Sequence, residues 1–322
     1  MNVSFIVIGL NEGYLLSQCF ESIKNAIDAS TCIDAYEVLY IDSGSSDSSV
    51  SIAKSYAATV YSILSDKSAA AARKIGLLNS RYEYILFLDG DMQLDVDFIN
   101  EVYSRKVFEN YGLCGVTGNR KEVFVDAFGN KSVITDDFYG RKGKGRLSHL
   151  GGASLFRRID GITSQLCFDE SQVLWEESLL LYGVISNGGY FWGLDIPFIT
   201  HNNKKKTSFF KTIKSYLSHN GTGYYFARLI YKSISERYLC GLVQCQWDLI
   251  FLVLFLLLCV FWLFFQPDMS VALFFIVSNC FLCVFLGVKK MAHLYLRFLW
   301  IIIFPFFKHK VFELKFKKED GE

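Results

Sequence analysis

Short apolar runs alternate with segments of helical period along the first 118 residues. Val3–Ile8, Tyr36–Ile41, Thr59–Leu64 and Tyr84–Leu88 are mostly apolar, as strands buried on both faces of a parallel sheet are. Helices are predicted at Tyr14–Ala26, Ser48–Tyr56, Ser68–Leu78 and Val96–Phe108, the second capped by Asp47 or Ser46. Strand–helix alternation argues for an α/β fold with a parallel sheet and right-handed crossovers. Three strand ends, Gly9–Asn11, Asp42–Asp47 and Asp89–Asp91, then share one sheet edge, where open α/β folds bind ligands. Beyond Cys114 the pattern loosens. Lys121–Asp126 and Lys131–Thr135 read as a hairpin turned at Gly129-Asn130. Gly151–Arg157 reads as a strand, Glu176–Ile185 as a helix and Tyr190–Pro197 as a strand approaching His201. Between the hairpin and Gly151, Arg141–Arg146 is basic and punctuated by glycine: a solvated loop, or a flap closing over phosphates through Lys142, Lys144 and Arg146.

Composition shifts at Asn202. Residues 202–246 hold Lys204, Lys205, Lys206, Lys211, Lys214, Arg228, Lys232 and Arg237, with aromatics interleaved. Helices of that make-up suit an anionic cytoplasmic leaflet of the lipid bilayer. Trp247–Phe265 carries one charge, Asp248, and Val271–Val288 none, so residues 247–288 are expected to form a transmembrane helical hairpin. Both flanks are basic, which places residues 1–201 and the C-terminus in the cytoplasm of a multi-pass inner-membrane protein. Phe298–Phe307, broken by Pro305, is too short to span and is expected to be interfacial or re-entrant, and Lys315–Glu322 to be a charged, mobile tail. Basic-aromatic stretches also mark nucleic-acid surfaces, but the apolar runs behind this one argue for a membrane and no nucleic acid.

Totals add little. Hydrophobic residues reach 52% because of the C-terminal part, and a net charge of +1 selects no partner. The nine cysteines lack the spacing of a disulfide scaffold. Cys280 and Cys283 stand in an apolar run with no second pair, which reads as lipid-facing or helix-packing sulfur and not as a metal site. The first residues have neither a basic leader nor a cleavage site and read as a strand.

Asp89-Gly90-Asp91 is the stretch with most chemistry in it. Two carboxylates released at a strand end, with a glycine between them, could hold a divalent cation. Taken singly, each such residue has an ordinary structural explanation. Asp42 and Asp47 suit turns and caps, Arg73 a solvated helix face, Glu176-Glu177 a helix N-terminus and His201 a loop.

Their joint order resembles the family 2 glycosyltransferases of GT-A fold, membrane-attached bacterial type, over residues 1–201. Asn11-Glu12 is similar to the family's first motif, and Ile41–Asp47 to its second, where the resemblance assigns Asp42, with Ser43 beside it, to the nucleotide. Ala72–Gly76 is similar to the helix whose arginine, here Arg73, faces the sugar nucleotide. Leu88–Asp91 resembles the metal-binding DXD, with Asp91 on the metal, Asp89 nearer the ribose and Gly90 between. Gly151-Gly152 through Arg157, with Trp175, falls on the acceptor side, Glu177 at the base position with Glu176 behind it, and His201 where a metal-side histidine occurs. The basic stretch with Tyr216, Gly221 and Gly223 is most similar to transferases that build succinoglycan-type exopolysaccharide.

The resemblance implies a Mg²⁺- or Mn²⁺-dependent inverting enzyme that moves a sugar from a nucleotide-sugar donor, a UDP-sugar for preference, to a lipid-linked acceptor. Neutralising a departing diphosphate and deprotonating an attacking hydroxyl require such groups. Glutamate at 177 departs from the family's aspartate. A bare polyprenyl-phosphate acceptor, which needs no base, an inactive membrane scaffold and a nucleotidyltransferase remain open. None of these motifs encodes an oligomeric state.

Overall fold

A computed structural model describes residues 1–125, 131–159, 168–203, 214–216, 218, 221–265, 288–306 and 312–319. Two compact units divide the chain, Met1–Thr207 with Lys310–Glu322, and Ser208–His309.

The first unit begins with β1 (Asn2–Gly9), α1 (Gly13–Asp28), β2 (Ala35–Asp42), α2 (Ser49–Ser55), β3 (Thr59–Ile63), α3 (Ala69–Asn79) and β4 (Tyr84–Asp89). It continues through β5 (Met92–Leu94), α4 (Phe98–Ser104), β6 (Leu113–Val125), β7 (Lys131–Thr135), β8 (Gly145–Arg146) and β9 (Ser154–Arg157). Then follow α5 (Glu176–Ser186), β10 (Tyr190–Asn203) and, from the C-terminal piece, β11 (Phe316–Glu319). The eleven strands among the described residues join one sheet in the order β11-β3-β2-β1-β4-β9-β6-β10-β5, with β7 beside β6 and β8 beside β10.

β3, β2, β1 and β4 are parallel, and their continuous apolar runs are buried on both faces: Val3, Phe5, Ile6 and Val7, then Ile85, Leu86, Phe87 and Leu88. Helix α1 covers one face with Leu15, Leu16, Cys19, Phe20, Ile23 and Ala26, a stripe of helical period. Each large side chain in that stripe contributes roughly 1.5–3 kcal/mol by leaving water. α3 lays Ala70, Ala71, Ala72, Ile75 and Gly76 inward, and its alanines let the helix approach closely.

The sheet is mixed, not mostly parallel. β9 runs antiparallel between β4 and β6, while β10 is parallel to β6 and antiparallel to the short β5. The expected hairpin is present as β6 against β7; its turn, Gly129-Asn130, lies outside the described residues. α4 is shorter than its pattern because Lys106 turns left-handed (φ 51°), and only a 3₁₀ turn, Val107–Glu109, follows. β10 runs past Pro197, which sits at irregularities in the pairing with β6 where its missing N–H is tolerated. Residues 316–319 are not a loose tail: they pair antiparallel with β3, with Phe316 edge-on to Tyr61.

The second unit contains α6 (Thr222–Ser235), α7 (Leu239–Cys245), α8 (Trp247–Phe265) and α9 (Val288–Ile303). α6 packs on α9 through Gly223 against Trp300 and Arg297 over the Phe226 ring, and Tyr231 stacks on Phe304 in the 3₁₀ turn that follows α9. Among the described residues no single helix is long and apolar enough to cross a membrane. One pair, Leu239–Cys245 with Trp247–Leu257, passes that test jointly but is bent by 89°. Most of the expected second span, residues 271–287, and the Cys280–Cys283 pair lie outside the described residues.

Candidate active site

The carboxyl ends of β1, β2 and β4 open onto a cavity of about 510 Å³. Gly9, Leu10, Glu12, Ser43, Lys67, Arg73, Asp89, Asp91, Arg120, Gly152, Glu176 and Glu177 contribute to its wall.

Arg73 organises one end. Ser68 caps α3 by accepting the Ala71 N–H, and one turn later Arg73 enters the cavity, 2% exposed. Its Nη2 donates to Asp89 Oδ1 (2.7 Å) and the Gly152 carbonyl (3.3 Å), and its Nη1 to Glu176 Oε1 (2.7 Å). Glu177 Oε1 lies 3.6 Å from the same Nη1. Burial works against the guanidinium charge, yet Asp89, Glu177 and Glu176 outweigh it and hold the Arg73 pKa above its ordinary value. Burial, then the Glu177 carboxylate, push the Glu176 carboxyl up to about 8 against the pull of Arg73. Trp175 precedes both glutamates in a left-handed conformation (φ 68°), the turn that starts α5 at the cavity.

Asp91 and His201 form the other end. β5 follows Asp91 immediately and pairs antiparallel with β10, which sets His201 opposite Met92. The Asn202 N–H and its side-chain amide both donate to the Asp91 carbonyl (3.0 and 3.1 Å). His201 Nε2 comes within 3.4 Å of Asp91 Oδ2, while Nδ1 faces Glu122 Oε2 at 2.9 Å. Glu122 also accepts from Arg120 Nε (2.7 Å), and Arg120 reaches the Tyr139 hydroxyl (3.3 Å). Burial opposes a charged imidazole, but the Asp91 carboxylate, with help from Glu122, raises the His201 pKa.

Other expected residues have different positions. Asp42 is 2% exposed and its oxygens accept the Gly44 and Ser45 N–H groups, so it shapes the loop after β2, with Ser43 at the cavity wall. Asn11, at φ 55°, ties two loops together: its side-chain oxygen accepts the Ser46 N–H and its own N–H meets Ser45 Oγ. Asp47 accepts from the Ser49 N–H and hydroxyl at the start of α2, where Ser48 is the capping position. Gly90 takes no left-handed turn; a side chain there would meet Glu12 and Leu16. Gly152 is tighter still, since a Cβ would stand 2.6 Å from Arg73 Nη2 and 2.7 Å from Asp89 Oδ2. Gly151 has the Tyr139 hydroxyl against it in the same way.

Arg157 is not in the site. β9 is antiparallel to β4, so Ser154 pairs with Phe87 near the cavity while Arg157 pairs with Tyr84 at the far edge. There Arg157 bonds Glu83 and the Phe108 carbonyl. Two of the flap cations are also committed. Lys144 pairs with Asp137 (3.2 Å) and Asp195 (2.8 Å), and Arg146 lies over the Tyr190 ring. The Lys142 side chain lies outside the described residues.

Residues 4–162 match the family model described as Glycosyl transferase family 2. That match covers just under half of the chain. Glucosyl-3-phosphoglycerate synthase of Petrotoga mobilis is 34% identical over 125 residues, 37% of this chain and 36% of that protein. The chain therefore matches little more than a third of that relative's length. Two solved structures share the fold. One is S. aureus TarS 1-349 in complex with UDP-GlcNAc: 15% identity, TM-score 0.53, 71% of this chain and 65% of that one. The other is the mannosyltransferase PcManGT from Pyrobaculum calidifontis in complex with GDP-Man and Mn2+: 13% identity, TM-score 0.57, 94% of this chain and 86% of that one.

A divalent cation would neutralise a diphosphate bound at this cavity. Among the described residues no group of three or more His, Cys, Asp or Glu side chains is arranged to hold one. Two side chains with ligand chemistry do come together. Asp91 Oδ1 is buried with no hydrogen-bond partner among the described residues, and His201 Nε2 faces the other oxygen of the same carboxylate. Mg²⁺ needs only one or two protein groups when water and phosphate oxygens complete its shell, and imidazole is acceptable to Mn²⁺. Asp89 has given one oxygen to Arg73. Arg120, Glu122, Tyr139 and Lys67 belong to none of the sequence motifs; the period-2 spacing of Arg120 and Glu122 on one face of β6 is the signal that could have found two of them.

Proposed function

We propose that the protein is an inverting glycosyltransferase that moves a sugar from a nucleotide-sugar donor to a lipid-linked saccharide acceptor at the cytoplasmic face of the membrane. One observation carries this reading. A buried arginine holds Asp89, Glu176 and Glu177 at one end of the cavity, and the Asp91–His201 pair closes the other.

In the proposed reaction the acceptor hydroxyl oxygen attacks the anomeric carbon, the bond from that carbon to the diphosphate breaks, and the hydroxyl proton passes to a carboxylate. Glu177 suits that role better than Glu176. Glu176 is 6% exposed, bonded to Arg73 and pushed toward its protonated form, whereas Glu177 is more accessible and lies farther from Arg73. A single displacement with no enzymic nucleophile inverts the anomeric centre. Mg²⁺ or Mn²⁺, held by Asp91 and His201, would neutralise the charge growing on the leaving diphosphate. Gly152 lets Arg73 and Asp89 pack against the backbone at the cavity wall, and the acceptor side is assigned to Gly151, Gly152 and Trp175 by the family resemblance alone. The basic segment and the apolar helix α8 support membrane attachment and a lipid-borne acceptor.

The test is transfer by purified full-length protein, given a panel of nucleotide sugars, lipid-linked saccharides and Mn²⁺. A product of opposite anomeric configuration, lost in Glu177→Gln, is expected. Full activity of Glu177→Gln would point to polyprenyl phosphate as acceptor, since that group is already an anion.

A further inference from the structure

The three cations at the cavity wall differ in their pairing. Arg73 is surrounded by Asp89, Glu176 and Glu177, and Arg120 pairs with Glu122. Lys67, also at the wall, is exposed and has no ion pair among the described residues. Its side chain lies directly over Gly44, at φ 87°, where an added methyl group would run into the ammonium.

Its place in the sheet says which part of a donor it can meet. Ser43 and Gly44 follow β2, Asp89 ends β4 with Asp91 just beyond it, and β1 lies between. At about 4.8 Å per strand the two ends stand roughly 10 Å apart. That is about the reach from diphosphate to base along an extended nucleotide. With the diphosphate at Asp91, Lys67 faces the base. An ammonium only donates, so it pairs with a ring carbonyl and gains nothing from an amino group at the same place.

We propose that Lys67 selects the donor's base, donating to the O4 of uracil or O6 of guanine and discriminating against cytosine and adenine. This rests on the nucleotide-sugar reading above. The chain's own C-terminal piece supports the lysine. The Leu64 N–H donates to the Lys315 carbonyl (2.8 Å), and Ser65 Oγ donates to the Glu313 carbonyl (2.5 Å) while accepting the Lys315 N–H (3.0 Å). The Glu313 N–H donates to Asp66 Oδ2 (2.7 Å). The loop that presents Lys67 is thus laced to the segment leading into β11.

Calorimetric titration of full-length protein with UDP, GDP, CDP and ADP, with Mn²⁺ present, tests both parts. Wild type is expected to bind UDP or GDP at least about ten-fold more tightly than CDP and ADP, because the site's donor is left unpaired by an amino base. Lys67→Met should bring the four within about three-fold by weakening the carbonyl bases alone, and Lys67→Arg should keep most of the preference. Ser65→Ala should cost about three-fold for the preferred base and add nothing to Lys67→Met. A preference that survives Lys67→Met, or an equal loss for all four nucleotides as a phosphate contact would give, overturns the base assignment. Additive losses in the double variant overturn the supporting role of the C-terminal piece. If wild type binds none of the four, the nucleotide-sugar reading itself fails.

Discussion

Arg73 Nη1 and Glu176 Oε1 meet at 2.7 Å with both side chains withdrawn from water, Arg73 at 2% and Glu176 at 6% exposure. Removing one member of a buried pair strands the other, which costs about 3–5 kcal/mol. Arg73→Met leaves Asp89, Glu176 and Glu177 without their shared cation and is expected to destabilise by about that much. Adding Glu176→Gln should return part of the loss. Urea unfolding of both variants measures it; equal stability of single and double variants would show the pair to be uncoupled.

The raised Glu176 pKa has a definite sign in stability. Its carboxyl titrates near the ordinary 4.5 when unfolded and at about 8 when folded. The folded state therefore binds more protons between those values, and the contribution of this group falls as pH rises through the window. The slope approaches about 1.4 kcal/mol per pH unit for one proton. Glu176→Gln should flatten the decline between pH 5 and 8, read as melting temperature against pH. Parallel curves for the two proteins would remove Glu176 as its source.

Much of the architecture is legible in the sequence because parallel strands announce themselves. Val3–Ile8 and Tyr84–Leu88 are apolar throughout, and the polar residues released at their ends converge wherever the sheet is parallel. Arg157 shows the limit. Its motif lies beside Gly152 in sequence, but β9 runs antiparallel and carries it down to the other edge. Glu122 is hidden because its partner His201 is 79 residues away and meets it only through the β6–β10 register. β11 has the composition of a mobile tail, since Phe316–Glu319 is mostly charged; its attachment comes from backbone bonds to β3, an aromatic contact and a side-chain bond between Glu319 and Ser62, which composition does not reveal.

Gly152 predicts a steric variant. A Cβ at that position meets the tips of Arg73 and Asp89 together, so either the pair opens or β9 shifts. Gly152→Ala should lower kcat by roughly 100-fold, the scale expected from a misplacement of about 1 Å at reacting groups. A modest fall in melting temperature should accompany it. Unchanged kcat would mean that the Arg73–Asp89 contact is not needed in the reaction.

The last prediction concerns Glu122, which stands behind His201 and is not part of the cavity wall. Its carboxylate lies 2.9 Å from His201 Nδ1 and favours the tautomer with the proton on that nitrogen, which leaves Nε2 turned toward Asp91. Carboxylate partners of ligating histidines fix the ring's tautomer and direction, and their loss costs about 10–100-fold in metal affinity. Glu122→Gln should therefore weaken Mn²⁺ binding by that factor, measured by calorimetry or by the paramagnetic broadening of the Mn²⁺ signal in the absence of any donor. Arg120 touches both Glu122 and His201 Nδ1, the latter at 2.9 Å, so Arg120→Met is measured beside it; an Mn²⁺ affinity within about three-fold of wild type there would assign the loss to Glu122 and not to Arg120. If Glu122→Gln binds Mn²⁺ as tightly as wild type, Glu122 serves to brace Arg120 and His201 is not a ligand.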